Sequence, residues 1–154
     1  MQLTMSTPEL QVTTHFSFLR GASSPEELFS AASLLGIPAL GVTDHGSLAG
    51  MVRAHQAAKV TGVRLVVGCR LDLDDLSSPL VVYPTDRAAY GRLCRLLSLG
   101  KARGGKGRCR LTWRDLEEWQ EGFFAILLAE QPGPRFRTTS RASRACSVPA
   151  RPAL

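Results

Sequence analysis

The chain has no C-x-x-C pair, no apolar run of bilayer length and no Walker-type phosphate loop, and each absence removes a class of function. Its four cysteines, Cys69, Cys94, Cys109 and Cys146, are widely and irregularly spaced. That spacing argues against a zinc ribbon or a dense disulfide frame and for free, mostly buried thiols. The longest apolar run, Phe123 to Ala129, is too short to cross a bilayer. The start, Met1-Gln-Leu-Thr-Met-Ser-Thr-Pro8, lacks a basic segment leading into an apolar one. A soluble cytoplasmic protein with no membrane partner is the expectation. Without a phosphate loop, the glycines between Gly100 and Gly107 read as hinges, and no Ser-His-Asp triad is evident. No repeat of fixed period is present.

What is present is a composition of 44% apolar and 21% charged residues over 154 positions, which suits one soluble globular domain or part of one. The net charge of +6 is unevenly spread. Residues 131–154 hold five arginines and no acid, and without them 14 basic residues face 13 acidic ones. Bulk charge therefore implies no polyanionic partner. One basic stretch survives that correction: from Arg92 to Arg110 there are seven Lys or Arg and no Asp or Glu. Within it Lys101-Ala-Arg-Gly-Gly-Lys-Gly-Arg108 reads as a flexible loop. Its Lys101, Arg103, Lys106 and Arg108 are candidate DNA contacts, with a solvated loop as the alternative.

Strand and helix signals alternate along residues 1–130. A first strand is expected over Leu10 to Phe18, and Ser24-Pro-Glu-Glu27 carries a capping box with proline at the first helical position. Gly36 and Pro38 end that helix. Ala39 to Thr43 reads as a second strand and Ser47 to Thr61 as a second helix, with Leu48, Val52 and His55 on one apolar face. Val63 to Leu73 and Pro79 to Tyr83 follow as strands. Asp86 caps a helix in which Tyr90, Leu93, Cys94 and Leu97 repeat at helical spacing. Thr112 and Asp115 open another, carrying Trp113, Leu116 and Trp119, and Phe123 to Ala129 closes as a strand. The succession predicts an α/β fold with a largely parallel sheet, open or closed into a barrel. Past Glu130 a Pro-, Arg-, Ser- and Ala-rich stretch without periodicity begins, and residues 131–154 read as a disordered tail or the product of a shifted reading frame.

The chemistry concentrates at Gly41-Val-Thr-Asp-His-Gly46, which puts an Asp-His pair at the end of a short apolar strand. Carboxylate oxygen and imidazole nitrogen can share one cation, but two ligands do not hold a catalytic metal. Together with Leu10-Gln-Val-Thr-Thr-His-Phe-Ser-Phe-Leu-Arg-Gly-Ala-Ser23 and Gly62-Val-Arg-Leu-Val-Val-Gly-Cys-Arg70, this stretch resembles the N-terminal polymerase and histidinol phosphatase (PHP) domain of bacterial C-family DNA polymerases. The resemblance covers most of residues 9–130 and implies the N-terminal part of a distorted, TIM-like (β/α)7 barrel. In metal-binding members two histidines fall where this chain has Gln11 and Thr13, and an acid falls where it has Arg70; only Asp44 and His45 are retained. Two imidazoles are lost and one carboxylate is inverted in sign, so the resemblance implies a degenerate site without metal.

Gln and Thr at the first ligand positions are similar to the error-prone, translesion lineage. That likeness implies a DNA-directed DNA polymerase, a nucleotidyltransferase of DNA replication and repair, whose magnesium-binding carboxylates lie in a later palm domain. Residues 1–154 alone are then expected to be inactive, a scaffold partnered by the polymerase core and DNA. A free-standing metal-dependent phosphoesterase is the alternative. An Asp44–Arg70 ion pair is expected to replace the metal bridge. His15 reads as a loop residue and His55 as partly buried.

Overall fold

The structure of the protein, a computed structural model, describes residues 7–128. The expected tail over residues 131–154 lies outside them. Among the described residues six strands and four helices run in the order β1 (Glu9–Val12), α1 (Pro25–Leu34), β2 (Ala39–Val42), α2 (Met51–Thr61), β3 (Arg64–Val67), β4 (Cys69–Leu71), β5 (Leu80–Pro84), α3 (Arg87–Gly104), α4 (Trp113–Trp119) and β6 (Phe123–Leu127). The α/β class is as expected. Strands β1, β2 and β3 form a parallel sheet in that order, while β4, β5 and β6 form an antiparallel one.

The antiparallel β4–β5 pair follows from how the chain turns. No helix separates β4 from β5, so the chain folds back beside its own strand, whereas a parallel return needs a crossover. The expected strand Val63 to Leu73 appears as β3 and β4, broken at Gly68. That bend joins the two sheets. The amide of Gly68 donates to Val42 O and that of Arg70 to Asp44 O, extending the β2 pairing while β4 turns to meet β5. Gly68 is required there because a Cβ would come within 2.8 Å of the Thr43 methyl and of the Tyr83 ring.

Each sheet has its own core. Phe29, Ala32, Leu40, Val42, Met51, Ala54, Ala57 and Val63 pack the parallel sheet against α1 and α2. Leu71, Leu80, Val82, Leu93, Leu96, Leu97, Leu111 and Leu116 pack the antiparallel sheet against α3 and α4. Leu48 touches both.

The capping box at Ser24 forms as expected: Ser24 Oγ accepts from the amide of Glu27, and Glu27 accepts from the amide of Ser24 at 2.7 Å. Asp86 and Thr112 cap α3 and α4. Helix α2 departs from expectation. It starts at Met51, and its buried residues are Met51, Ala54 and Ala57. Val52 is 70% exposed and His55 also faces solvent. Small side chains at three-residue spacing let α2 approach α1 and the sheet closely, and that closeness outweighs the bulk of Val52. Helix α3 likewise runs on through Gly104, so Lys101 and Arg103 belong to its last turn and not to a loop. A Cβ at Gly100 would lie 2.6 Å from Cys109 Sγ, so glycine there lets the returning chain pack on the helix.

Gly41 is the tightest point of the parallel sheet, since a Cβ there would lie 2.2 Å from Leu10 O. Gly41→Ala is expected to force β1 from β2 and to cost about 3 kcal/mol. Chemical denaturation followed by circular dichroism measures that loss.

Candidate functional site

Strand β2 is buried along its whole length and continues as Thr43, Asp44 and His45 into the loop at the sheet's C-terminal edge. Backbone bonds hold this extension on both sides. The Thr43 amide donates to Val12 O at 2.8 Å, the Arg70 amide to Asp44 O at 3.0 Å, and the Gly46 amide to Arg70 O at 2.8 Å.

The Asp44 side chain is fully buried and is the hub of a closed network. Oδ1 accepts from the Thr14 amide at 2.8 Å and from Ser17 Oγ at 2.7 Å, and Oδ2 accepts from Thr14 Oγ1 at 2.8 Å. Ser17 Oγ in turn accepts from the His45 amide at 3.0 Å, and Thr14 Oγ1 from the Phe16 amide at 3.2 Å. A buried carboxylate normally needs a cation or several donors. Here three donors from the loop after β1 supply the compensation.

The expected Asp44–Arg70 ion pair does not form. Arg70 Nε lies 3.3 Å from Asp72 Oδ1, and only the backbone of Arg70 meets Asp44. Arg70 follows Cys69 in β4, where alternation sends its side chain opposite to the buried Cys69 and Leu71. His45 Nδ1 stands 3.5 Å from Asp72 Oδ2, too far for a well-formed hydrogen bond. Burial lowers the pKa of His45, the positive charges of Arg70 and Arg20 lower it further, and Asp72 opposes them. A neutral imidazole in an electropositive setting results.

Gln11 is exposed, and its amide donates to the Glu9 carboxylate at 2.8 Å; Thr13 is half-buried. As a donor set for the metal cluster that the fold implies, Gln11, Thr13, Asp44, His45 and Arg70 do not fit. One is a cation, and the one carboxylate already accepts three hydrogen bonds from protein donors. Among the described residues no group of three or more His, Cys, Asp or Glu is placed to share an ion.

Beside His45 opens a cavity of roughly 440 Å³ whose wall includes Phe18, Arg20, Asp72, Lys101, Arg108 and Cys109. The fold thus brings part of the basic stretch beside the Asp44–His45 pair. The four candidate DNA contacts separate here. Lys101 and Arg108 line the cavity and Lys106 is exposed nearby. Arg103 reaches Asp115 at 2.7 Å. Burial would push the Asp115 carboxyl up, but Arg103 and the Thr112 amide and hydroxyl hold it below the ordinary range. His15 sits in the loop after β1, as expected, with its ring stacked on Phe16 at 4.5 Å. Thr14, Ser17, Arg20 and Asp72 were not singled out from the sequence. The two hydroxyls of Thr14-His-Phe-Ser17, directly after a strand, were the available signal.

A protein family model described as "PHP domain" matches residues 9–143. The chain is 67% identical over 129 residues to error-prone DNA polymerase 1 of Agrobacterium fabrum, a match spanning 82% of this chain and 12% of that protein. It is 63% identical over 122 residues to error-prone DNA polymerase 2 of Rhizobium meliloti, spanning 79% and 11%. The chain therefore spans about an eighth of the length of the relatives it matches. Among solved structures, a protein assigned as a metal-dependent phosphoesterase from Bifidobacterium adolescentis superposes with a TM-score of 0.55 at 22% identity, over 65% of this chain and 35% of that one. An amidohydrolase from Chromobacterium violaceum gives a TM-score of 0.53 at 22% identity. These two likenesses concern the fold.

Asp44→Ala is expected to cost about 3 kcal/mol, because it strands the Thr14 amide and the Ser17 hydroxyl without their acceptor. Arg70→Ala should cost under about 1 kcal/mol, since its partner Asp72 is half exposed. Paired urea melts distinguish the two. Arg103→Ala is expected to lose about 1 kcal/mol at neutral pH, after allowance for screening of the half-exposed guanidinium. The sign follows from the depressed carboxyl. Its contribution is complete above the unfolded value of about 3.9 and disappears as pH falls through the lower folded value. The gap between the melting temperatures of the wild type and Arg103→Ala should therefore close only below about pH 4.

Proposed function

The chain belongs to the PHP domain family, and from that membership we propose that it is the N-terminal PHP region of an error-prone DNA polymerase, serving replication and translesion repair as a non-catalytic scaffold. The observation that carries this reading is the state of Asp44. Its three acceptor contacts tie the loop after β1 to the end of β2, which a metal cluster would otherwise do, and its backbone carbonyl accepts from Arg70 of β4. The work of the residue is structural. The identity to the error-prone polymerases supports the parent activity, a DNA-directed nucleotidyl transfer. Magnesium for that chemistry would be held by palm carboxylates outside these residues, so residues 1–154 are read as inactive alone. Residues 1–130 would then be a partial PHP domain followed by a separate tail.

DNA and the polymerase core are the proposed partners. Lys101, Lys106 and Arg108 supply the candidate phosphate contacts, while Arg103 holds the α3–α4 turn through Asp115. The descriptions of the relatives as DNA polymerases support DNA as the ligand, and no helix among the described residues is long and apolar enough to cross a membrane.

The competing reading is a free-standing metal-dependent phosphoesterase, which the B. adolescentis likeness in fold brings forward. Metal analysis by mass spectrometry, on chain purified with zinc and manganese in the medium, separates the two. Substoichiometric metal and no phosphate-ester hydrolysis are expected. Stoichiometric zinc or manganese, with hydrolysis abolished by Asp44→Asn or His45→Gln, would overturn the scaffold reading.

A further inference from the structure

The loop after β1 carries two phenylalanines with opposite fates. Phe16 is half-buried, stacked on His15 and approached by the Arg53 guanidinium at 6.0 Å from the ring centre. Phe18 is 84% exposed, yet it lines the same cavity as His45, Arg20, Lys101 and Arg108. An exposed aromatic ring beside cations is the arrangement by which single-stranded nucleic acid is held. Rings stack on bases, and the cations take the flanking phosphates.

Two further observations favour this use. The cations facing the cavity are uncompensated: Arg20, Lys101 and Arg108 make no ion pair among the described residues. By contrast Arg70, Arg103 and Arg110, which do not line the cavity, are paired with Asp72, Asp115 and Asp74. The loop is also held at a cost. Leu19 has φ of +62°, the region that favours glycine, and it is 89% exposed, so no packing of its own explains its conformation. Such strain persists where the surroundings over-determine the backbone. Here the Arg20 and Gly21 amides both donate to Ser17 O, and Ser17 is locked on Asp44. The carboxylate brace thus fixes Phe18 and Arg20 on either side of Leu19.

We propose that this cavity is a single-strand binding cleft in which Phe18 stacks against a base while Arg20, Lys101 and Arg108 contact the neighbouring phosphates. The inference deepens the DNA surface proposed above and rests on it. Charge alone would hold any strand, and Phe18 adds a preference for unpaired bases. A purely apolar protein-docking knob would not place three unpaired cations around the ring.

The test is fluorescence anisotropy with the full chain and three probes: a labelled thymidine strand of about 12 nucleotides, an abasic strand of equal length, and the matching duplex. Phe18→Ala should weaken binding of the thymidine strand by roughly tenfold, and Phe18→Tyr should restore it. The wild type should bind the abasic strand as weakly as Phe18→Ala binds thymidine. Three phosphate contacts imply a salt slope near about −2, unchanged by Phe18→Ala and flattened by Lys101→Gln with Arg108→Gln. If Phe18→Ala binds all three probes as the wild type does while the charge variants still weaken binding, the stacking inference is wrong and the phosphate surface stands. Equal affinity for duplex and single strand overturns it too. A folded wild-type chain that binds no probe at low salt removes both the surface and the cleft.

Discussion

The buried carboxylate of Asp44 is the constraint on which the rest of the site depends. A charged oxygen pair at the end of a parallel strand must find donors or a cation. In this chain the donors come from Thr14 and Ser17, the two ends of a four-residue stretch of the loop after β1. Because each hydroxyl also accepts an amide, from Phe16 and from His45, the network closes on itself. Loop, strand end and the neighbouring β4 become one unit.

Around this closed network the neighbouring charges are mostly positive. The Arg70 guanidinium turns to Asp72, away from the Asp44 carboxylate. The positive charges of Arg20, Arg70, Lys101 and Arg108 then gather around a neutral His45. The wall of the cavity beside it carries Arg20, Lys101 and Arg108 against the single carboxylate of Asp72.

Local chemistry was legible from residues alone. The caps at Ser24, Asp86 and Thr112 formed as their side chains required, because a cap depends on residues within one turn. Of the expected stripe Tyr90, Leu93, Cys94 and Leu97, the two leucines are buried while Tyr90 and Cys94 are half-buried at its edge. Failures came where packing between elements decided the outcome. His55 was expected on the apolar face of α2 and lies in solvent, since Met51, Ala54 and Ala57 allow the closer approach to α1. The glycine-rich run after Leu99 looked like one loop, yet packing of Cys109 and Leu111 against Gly100 sustains the helix through Gly104.

By itself the sequence determined the α/β class, the order of elements, the PHP resemblance and the Asp-His pair at the end of the second strand. Each of these is a property of side-chain identity and spacing. Only the tertiary structure decided which partner each charge takes. Asp44 meets Thr14 and Ser17 across about 30 residues of chain, Arg103 meets Asp115, and Phe18 is left beside Arg20, Lys101 and Arg108. Such pairings depend on distances fixed by sheet register, the bend at Gly68 and the contact of α3 with the chain that returns along it, and one-dimensional spacing does not encode those distances.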